Sequence, residues 1–298
     1  VIGCNELGIP GCSAESATAT SGTIQYLRLL NQTPVTHPDP DSIQTIAQLL
    51  AIFEEVMLRT AIKMRQAGQN RRRQMALSVP TPFTSALMRG CIDRGEDFIT
   101  GMDYSLPGGY ERGLTNAVNA LSAIERVVFT DQTISLSGLV GQMITDYPDE
   151  SLRQRLLNAP RWGNDDPVAD RWAQALVQMR ERVLDAVDAS FQQAPHIVCH
   201  VVRSLHHLDG LTLGASPDGC RSGEPLSDSI GAPGGTSING HTAVLNSVLN
   251  LDAAQGRTFE NCFVSDAPCL PSRAALWSGR TCVPPVAPNM PGVSKICI

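Results

Sequence analysis

The chain of 298 residues has no apolar run near the roughly 20 residues that a helical membrane span needs. Its start carries no signal-peptide pattern of a charged stretch followed by an apolar one. No basic stripe runs along any helix that can be drawn, and the net charge is −6 with a pI near 5.5. These absences argue against a membrane or a nucleic acid as partner. The one basic cluster, Arg71-Arg72-Arg73, reads as a solvated turn. Neither Cys-x-x-Cys nor His-Glu-x-x-His occurs, which removes the common zinc patterns. Gly-x-Ser-x-Gly and Ser-x-x-Lys are also absent, so a hydrolase reading has no nucleophile to rest on. The chain opens on Val1 rather than Met, and the expectation is that its natural beginning lies upstream.

Nine cysteines are present. Cys4, Cys12, Cys91, Cys199 and Cys220 are scattered, while Cys262, Cys269, Cys282 and Cys297 crowd into the last stretch. An odd count without close pairs is no disulfide framework. The main body therefore reads as cytoplasmic with reduced thiols. A hydrophobic content of 42% suffices for a large core in one or two domains.

Periodicity predicts an amphipathic helix over 42–64, with Asp41 or Ser42 as cap and Ile43, Ile46, Leu49, Leu50, Phe53, Val56 and Met57 on one face. A second helix is predicted over 114–128. The clearest begins at Asp166-Pro167 and ends near Gln193, with Asp at the N-cap and Pro at the first helical position. A last helix is predicted over 242–250. The stretches 74–79, 98–101 and 197–202 read as short strands, and their alternation with helices indicates an α/β architecture. Residues 214–240 are loop-rich, and loops of that length are commonly functional or disordered. From residue 261 the composition changes: four Cys and six Pro with no apolar period, a stretch that builds neither a helix nor a central strand.

Three groups of residues could carry chemistry. In Gly3-Cys4-Asn5-Glu6, a thiol and a carboxyl two residues apart lie on one side of an extended loop. That suits attack at one substrate atom with acid/base work at its neighbour. A lone Cys is more often a small buried hydrophobe. His196 and His200 would share a helical face and could bind a metal, but the run reads better as a strand, where they lie far apart. The glycines at 231–235 lack the following Lys-Ser/Thr of a phosphate-binding loop.

Taken in order, the segments resemble one family. Gly3-Cys4-Asn5-Glu6 resembles the Gly-Cys-x-Glu of the glycyl radical enzymes. Arg161-Trp162-Gly163-Asn164-Asp165-Asp166 is similar to their Tyr-Gly-Asn-Asp-Asp segment before a long helix. The run from Ser216-Pro217-Asp218-Gly219-Cys220 to Glu224-Pro225-Leu226-Ser227-Asp228 resembles their Pro-Asp-Gly-Arg loop. Asn239-Gly240-His241-Thr242-Ala243, then Ser247-Val248-Leu249-Asn250-Leu251-Asp252, resembles their Gly-Pro-Thr-Ala and Ser-Val-x-Lys-Leu-Asp.

The resemblance covers residues 1–260 and implies a partial barrel of α/β type, the second half-barrel with helices outside. It makes 1–260 the catalytic domain and 261–298 an unrelated tail, as from a frameshift or truncation. It gives Cys4 the thiyl role and Glu6 the acid/base role, with no bound cofactor. In the family a backbone glycine near the C-terminus holds the radical, installed by a radical-SAM activating enzyme. A small-molecule substrate is implied, and a homodimer is compatible. Gly3 stands where an acyl-transferring member has a second cysteine, so elimination or dehydration is expected over formate C-acetyltransferase chemistry. Radical addition to fumarate is the other alternative. Cys220 is expected to shift the loop register, and His241 replaces a Pro. No Arg-Val-x-Gly-Tyr follows Asp252, so the chain by itself reads either as part of a radical enzyme or as a non-catalytic remnant.

Overall fold

The computed structural model describes residues 11–12, 22–103, 108–191, 197–200 and 205–252. Three short strands, β1 (Thr23–Gln25), β2 (Gly108–Arg112) and β3 (Ile197–His200), form a parallel sheet in that order. Thr23 pairs with Tyr110 and Gln25 with Arg112, while Tyr110 pairs with Cys199 and Glu111 with His200. Parallel strands need long crossovers, and the helices supply them. Helix α1 (Tyr26–Val35) leaves β1 directly, and α2 (Ile46–Ser78) follows. Three single-turn pieces come next: α3 (Pro82–Ala86), α4 (Cys91–Arg94) and α5 (Phe98–Gly101). After β2 come α6 (Leu114–Ile124), a π-turn (Glu125–Thr130), α7 (Leu136–Ile144), α8 (Glu150–Leu157) and α9 (Pro167–Phe191). After β3 come α10 (His206–Leu211) and α11 (Gly240–Asp252).

Helix α2 differs from the predicted span at both ends. Its cap is Thr45, which forms a reciprocal box with Gln48, because a Thr followed three residues later by Gln satisfies two orphan N–H groups at once. Asp41 instead accepts from the backbone N–H of Ser137 at 2.8 Å, in the first turn of α7. The helix runs on to Ser78, through the predicted 74–79 strand and through Arg71–Arg73. No Gly or Pro interrupts residues 69–79, and Arg, Gln, Met, Ala and Leu are good helix formers. Arg72 is not on a solvated turn; it donates to the Ile99 carbonyl at 2.6 Å. The predicted strand at 98–101 is one helical turn, capped by the Asp97 carboxylate on the N–H of Ile99.

Helix α9 follows the prediction: Asp166 caps the N–H of Val168 at 2.9 Å, with Pro167 at the first helical position. Helix α6 is buried along its entire length, so it lies at the centre of the molecule. One apolar cluster joins α1, α2, α6 and α9 around Leu30, Phe53, Leu121 and Val177. A second joins the start of α2, the π-turn, α7 and α8 around Leu49, Ile124, Leu139 and Leu156. The stretch 212–239 holds neither helix nor strand, as its composition predicts.

Candidate functional site

Cys4 and Glu6 lie outside the described residues, as do His196 and the stretch 253–298. Downstream of Glu6, the carbonyl of Gly11 accepts from the N–H of Arg89 at 2.7 Å, and the buried Cys12 sulfur is 3.8 Å from the Arg89 guanidinium. Residues 197–200 form a strand, within the predicted 197–202. Among the described residues no group of three His, Cys, Asp or Glu is placed to hold a metal ion.

The motifs singled out in the sequence meet around α6. Asn116, fully buried, accepts from both the N–H and the hydroxyl of Ser227 at 2.8 Å. Its amide reaches Asp218 at 3.5 Å. Asp218 is also fully buried and accepts from the Ser216 hydroxyl and from the Cys220 sulfur, the latter at 3.4 Å. Arg161 donates to the Asp218 carbonyl at 2.6 Å, and the Tyr147 hydroxyl donates to the Ser216 carbonyl at 2.6 Å. One turn further along α6, Asn119 accepts from the N–H of Trp162 at 2.8 Å. The Trp162 indole donates to the carbonyl of Ile230 at 2.9 Å.

Asn164 then accepts from the N–H groups of Ile238 and Asn239 and donates to the Thr236 carbonyl. Asp165 ties its N–H to the Ser247 hydroxyl and its carboxylate to Asn246 on α11. A long loop cannot leave buried backbone groups unpaired, and these side chains supply the partners. Cys220 is held inside this lattice. Burial pushes its thiol up, and the neighbouring Asp218 carboxylate pushes further in the same direction. A thiol so held is a poor nucleophile, which marks Cys220 as structural.

The sheet carries a second polar group. Glu111 on β2 is fully buried, accepts from the Tyr26 hydroxyl at 2.7 Å and pairs with Arg180 of α9 at 3.2 Å. Burial disfavours the Arg180 charge, but Glu111 first, then Tyr26 and Glu181, outweigh it and raise its pKa. Burial followed by Glu111 pushes the Tyr26 phenol up as well. At the carboxyl end of the strands, Arg112 places Nη1 2.8–2.9 Å from both carboxylate oxygens of Asp209. Arg28 donates to the Thr212 hydroxyl at 2.6 Å. Sequence reading overlooked Asn116 and Asn119, although their spacing of three on an otherwise apolar helix was visible. Glu111 and Arg180 gave no local signal, since their pairing is made only by the fold.

Persistence of a backbone radical requires shelter from solvent. The glycines at 231, 234 and 235 are exposed, and no atom lies within 4 Å of a Cβ placed on Gly234 or Gly235. This run does not fit a radical-bearing glycine.

Comparison with known proteins adds the lineage. The family described as pyruvate formate lyase-like matches residues 2–203. The chain is 28% identical over 214 residues to an isethionate sulfite-lyase of Desulfovibrio desulfuricans, covering 70% of this chain and 25% of that protein. It is 30% identical over 180 residues to a probable dehydratase, YbiW, of Escherichia coli, covering 57% and 22%. Its fold resembles the glycerol-bound B12-independent glycerol dehydratase of Clostridium butyricum, with a TM-score of 0.75 at 24% identity, over 85% of this chain and 34% of that one. The chain thus spans a quarter to a third of the length of the relatives it matches, and it has the α/β architecture of part of a glycyl radical enzyme barrel. No helix among the described residues is long and apolar enough to cross a membrane. The match over two-thirds of its length and the shared fold place this chain in the pyruvate formate lyase-like family.

Proposed function

We propose that the chain carries the reactive loop and part of the barrel wall of a radical lyase or dehydratase acting on a small polar substrate. The observation that carries this reading is the Gly3-Cys4-Asn5-Glu6 segment, which falls inside the residues matched to the family. In this reading a thiyl at Cys4 takes a hydrogen atom from substrate carbon, forming S–H and a carbon radical. Glu6 moves the proton that the adjacent group must gain or lose as it leaves. The carbon radical of the product then takes the hydrogen back from Cys4. A single cysteine suits elimination, because acyl transfer needs a second thiol to hold the acyl group. The family's activating enzyme would install the radical on a glycine that the exposed 231–235 run does not supply. A second reading is a non-catalytic remnant of such an enzyme.

The test is anaerobic and uses the activating enzyme, S-adenosylmethionine and a reductant. The chain alone is expected to show no glycine-type doublet in electron paramagnetic resonance; a doublet would overturn the reading of its glycines. With a separate protein carrying a glycine loop, turnover is sought on glycerol, trans-4-hydroxy-L-proline and isethionate. Cys4→Ser should abolish it, and Glu6→Gln should lower kcat by about 10²–10⁴-fold. Undiminished turnover in Cys4→Ser would sink the radical reading. No turnover in any combination would favour the remnant.

A further inference from the structure

We propose that the carboxyl end of the sheet is a subsite for a small oxyanion, the carboxylate or sulfonate of a substrate, received by Gln25, Arg112 and the N-terminus of α6. It deepens the function proposed above and rests on it for the word substrate. The first observation is Gln25, the last residue of β1, which is only 9% exposed. Its Oε1 accepts from the N–H of Arg28 at 2.8 Å and so caps α1. Its Nε2 is buried and has no hydrogen-bond partner. A buried amide donor without an acceptor is unfavourable, and so points to something that supplies one.

The second observation is where that amide lies. A Cβ on Gly113 would stand 3.0 Å from Gln25 Nε2. Gly113 is the N-cap of α6, sits at φ +69 and offers no side-chain cap. The first-turn N–H groups of an α-helix have no intrahelical partner, and the helix end favours negative charge. Glycine is required here twice over, by its left-handed φ and by the Gln25 amide lying across it. An unpartnered amide and an uncapped eleven-residue helix therefore share one place.

The third observation is charge. Arg112 is the register partner of Gln25 and is 23% exposed. Among the described residues only its Nη1 is engaged, by Asp209. Arg28, in the first turn of α1, donates to Thr212, three residues after Asp209. Among the described residues Asp209 is the one carboxylate bonded to Arg112. The free groups are all donors: amide N–H, backbone N–H and the remaining guanidinium N–H. A ligand that offers only acceptors matches them, and guanidinium groups recognise carboxylates and similar oxyanions with charge-assisted hydrogen bonds. A neutral diol would spend its own hydroxyl donors against donors.

Titration of the ¹⁵N-labelled full chain with acetate, methanesulfonate, inorganic phosphate and glycerol, at ionic strength held constant with chloride, tests this. The Gln25 side-chain amide signal is identified by its loss in Gln25→Leu. Acetate and methanesulfonate should shift it saturably, glycerol should not, and Arg112→Met should weaken the apparent affinity by about tenfold or more. Gln25→Glu, which keeps the shape and adds a like charge, should abolish binding as read on the Gly113 amide. If that variant fails to fold, Arg112→Met decides. No saturable shift, or affinity untouched by the variants, overturns the subsite. Saturation by phosphate alone, as for a free anion, overturns its assignment to a substrate group. No radical or turnover enters this experiment, so its failure is separate from failure of the proposed chemistry.

Discussion

Glu111 has no solvent to fall back on. Its carboxylate accepts from the Tyr26 hydroxyl and the Arg180 guanidinium, so removing it breaks a buried ion pair and leaves Arg180 to the part-exposed Glu181. Glu111→Ala should cost about 3–5 kcal/mol in urea unfolding. Glu111→Gln, which keeps an acceptor for Tyr26, should cost less. Equal losses would mean that volume rather than charge holds the site. Cys220 makes a chemical prediction. With its thiol pushed up by burial and by Asp218, it stays protonated at pH 8 and should alkylate with iodoacetamide more slowly than free cysteine by at least about tenfold. Asp218→Asn should speed that reaction in a chain whose circular dichroism is unchanged. Peptide mass spectrometry reads both rates, and a fast wild-type Cys220 would show that the Ser216–Cys220 turn opens.

Elements inherit these local arrangements. The short pieces α3 and α5 are joined by Asp97, whose carboxylate accepts from the N–H and hydroxyl of Thr81, the Ser85 hydroxyl and the N–H of Ile99. Burial works to raise its pKa, but these hydrogen bonds outweigh that and hold it below the ordinary value of 3.8. A lowered folded-state pKa means that the stabilisation is present above pH 3.8 and is lost as pH falls through the folded value. Amides of α3–α5 should therefore lose hydrogen-exchange protection in acid ahead of α9, and Asp97→Asn should flatten that dependence. At the start of α2, Thr45→Ala should cost about 1 kcal/mol by removing the box with Gln48.

The long helices were legible because their signals are local. Asp166-Pro167 followed by apolar residues at every third or fourth position leaves little choice. The start of α2 was misplaced because Asp41 and Ser42 are good caps by type, and only the fold commits Asp41 to Ser137. The strands β1 and β2 escaped notice because three to five residues with Gly, Gln, Glu and Arg carry no alternation. What makes them strands is their pairing across the chain. The loop motifs were read as a family signature, yet their physical task, closing a lattice on Asn116 and Asn119, showed only in the structure.

At the scale of the whole molecule, α6 and α9 form the protected centre. Helix α6 is buried at every position, and α9 packs against it and against α2, with Trp172, Leu176, Val183 and Val187 buried. Their central amides should exchange only through global unfolding, while α3–α5 exchange through partial opening. Uniform protection across both would contradict this division. The apolar residues Leu77, Val79, Phe83, Leu87 and Ile92 stand exposed near α3 and α4, on that less protected side.

The sheet has a consequence in time. Tyr26 and Glu111 are 85 residues apart in the chain, and Glu111 and Arg180 are 69 apart. No ladder bond can form until a separation of that order has been closed, whereas α2 and α9 can coil from neighbours alone. Long-range closure of this kind slows folding, so the helices should assemble first and the strands should align late on the pathway. The triad at Glu111 would then be absent from the folding transition state. Its loss would leave the refolding rate almost untouched and would appear instead as faster unfolding.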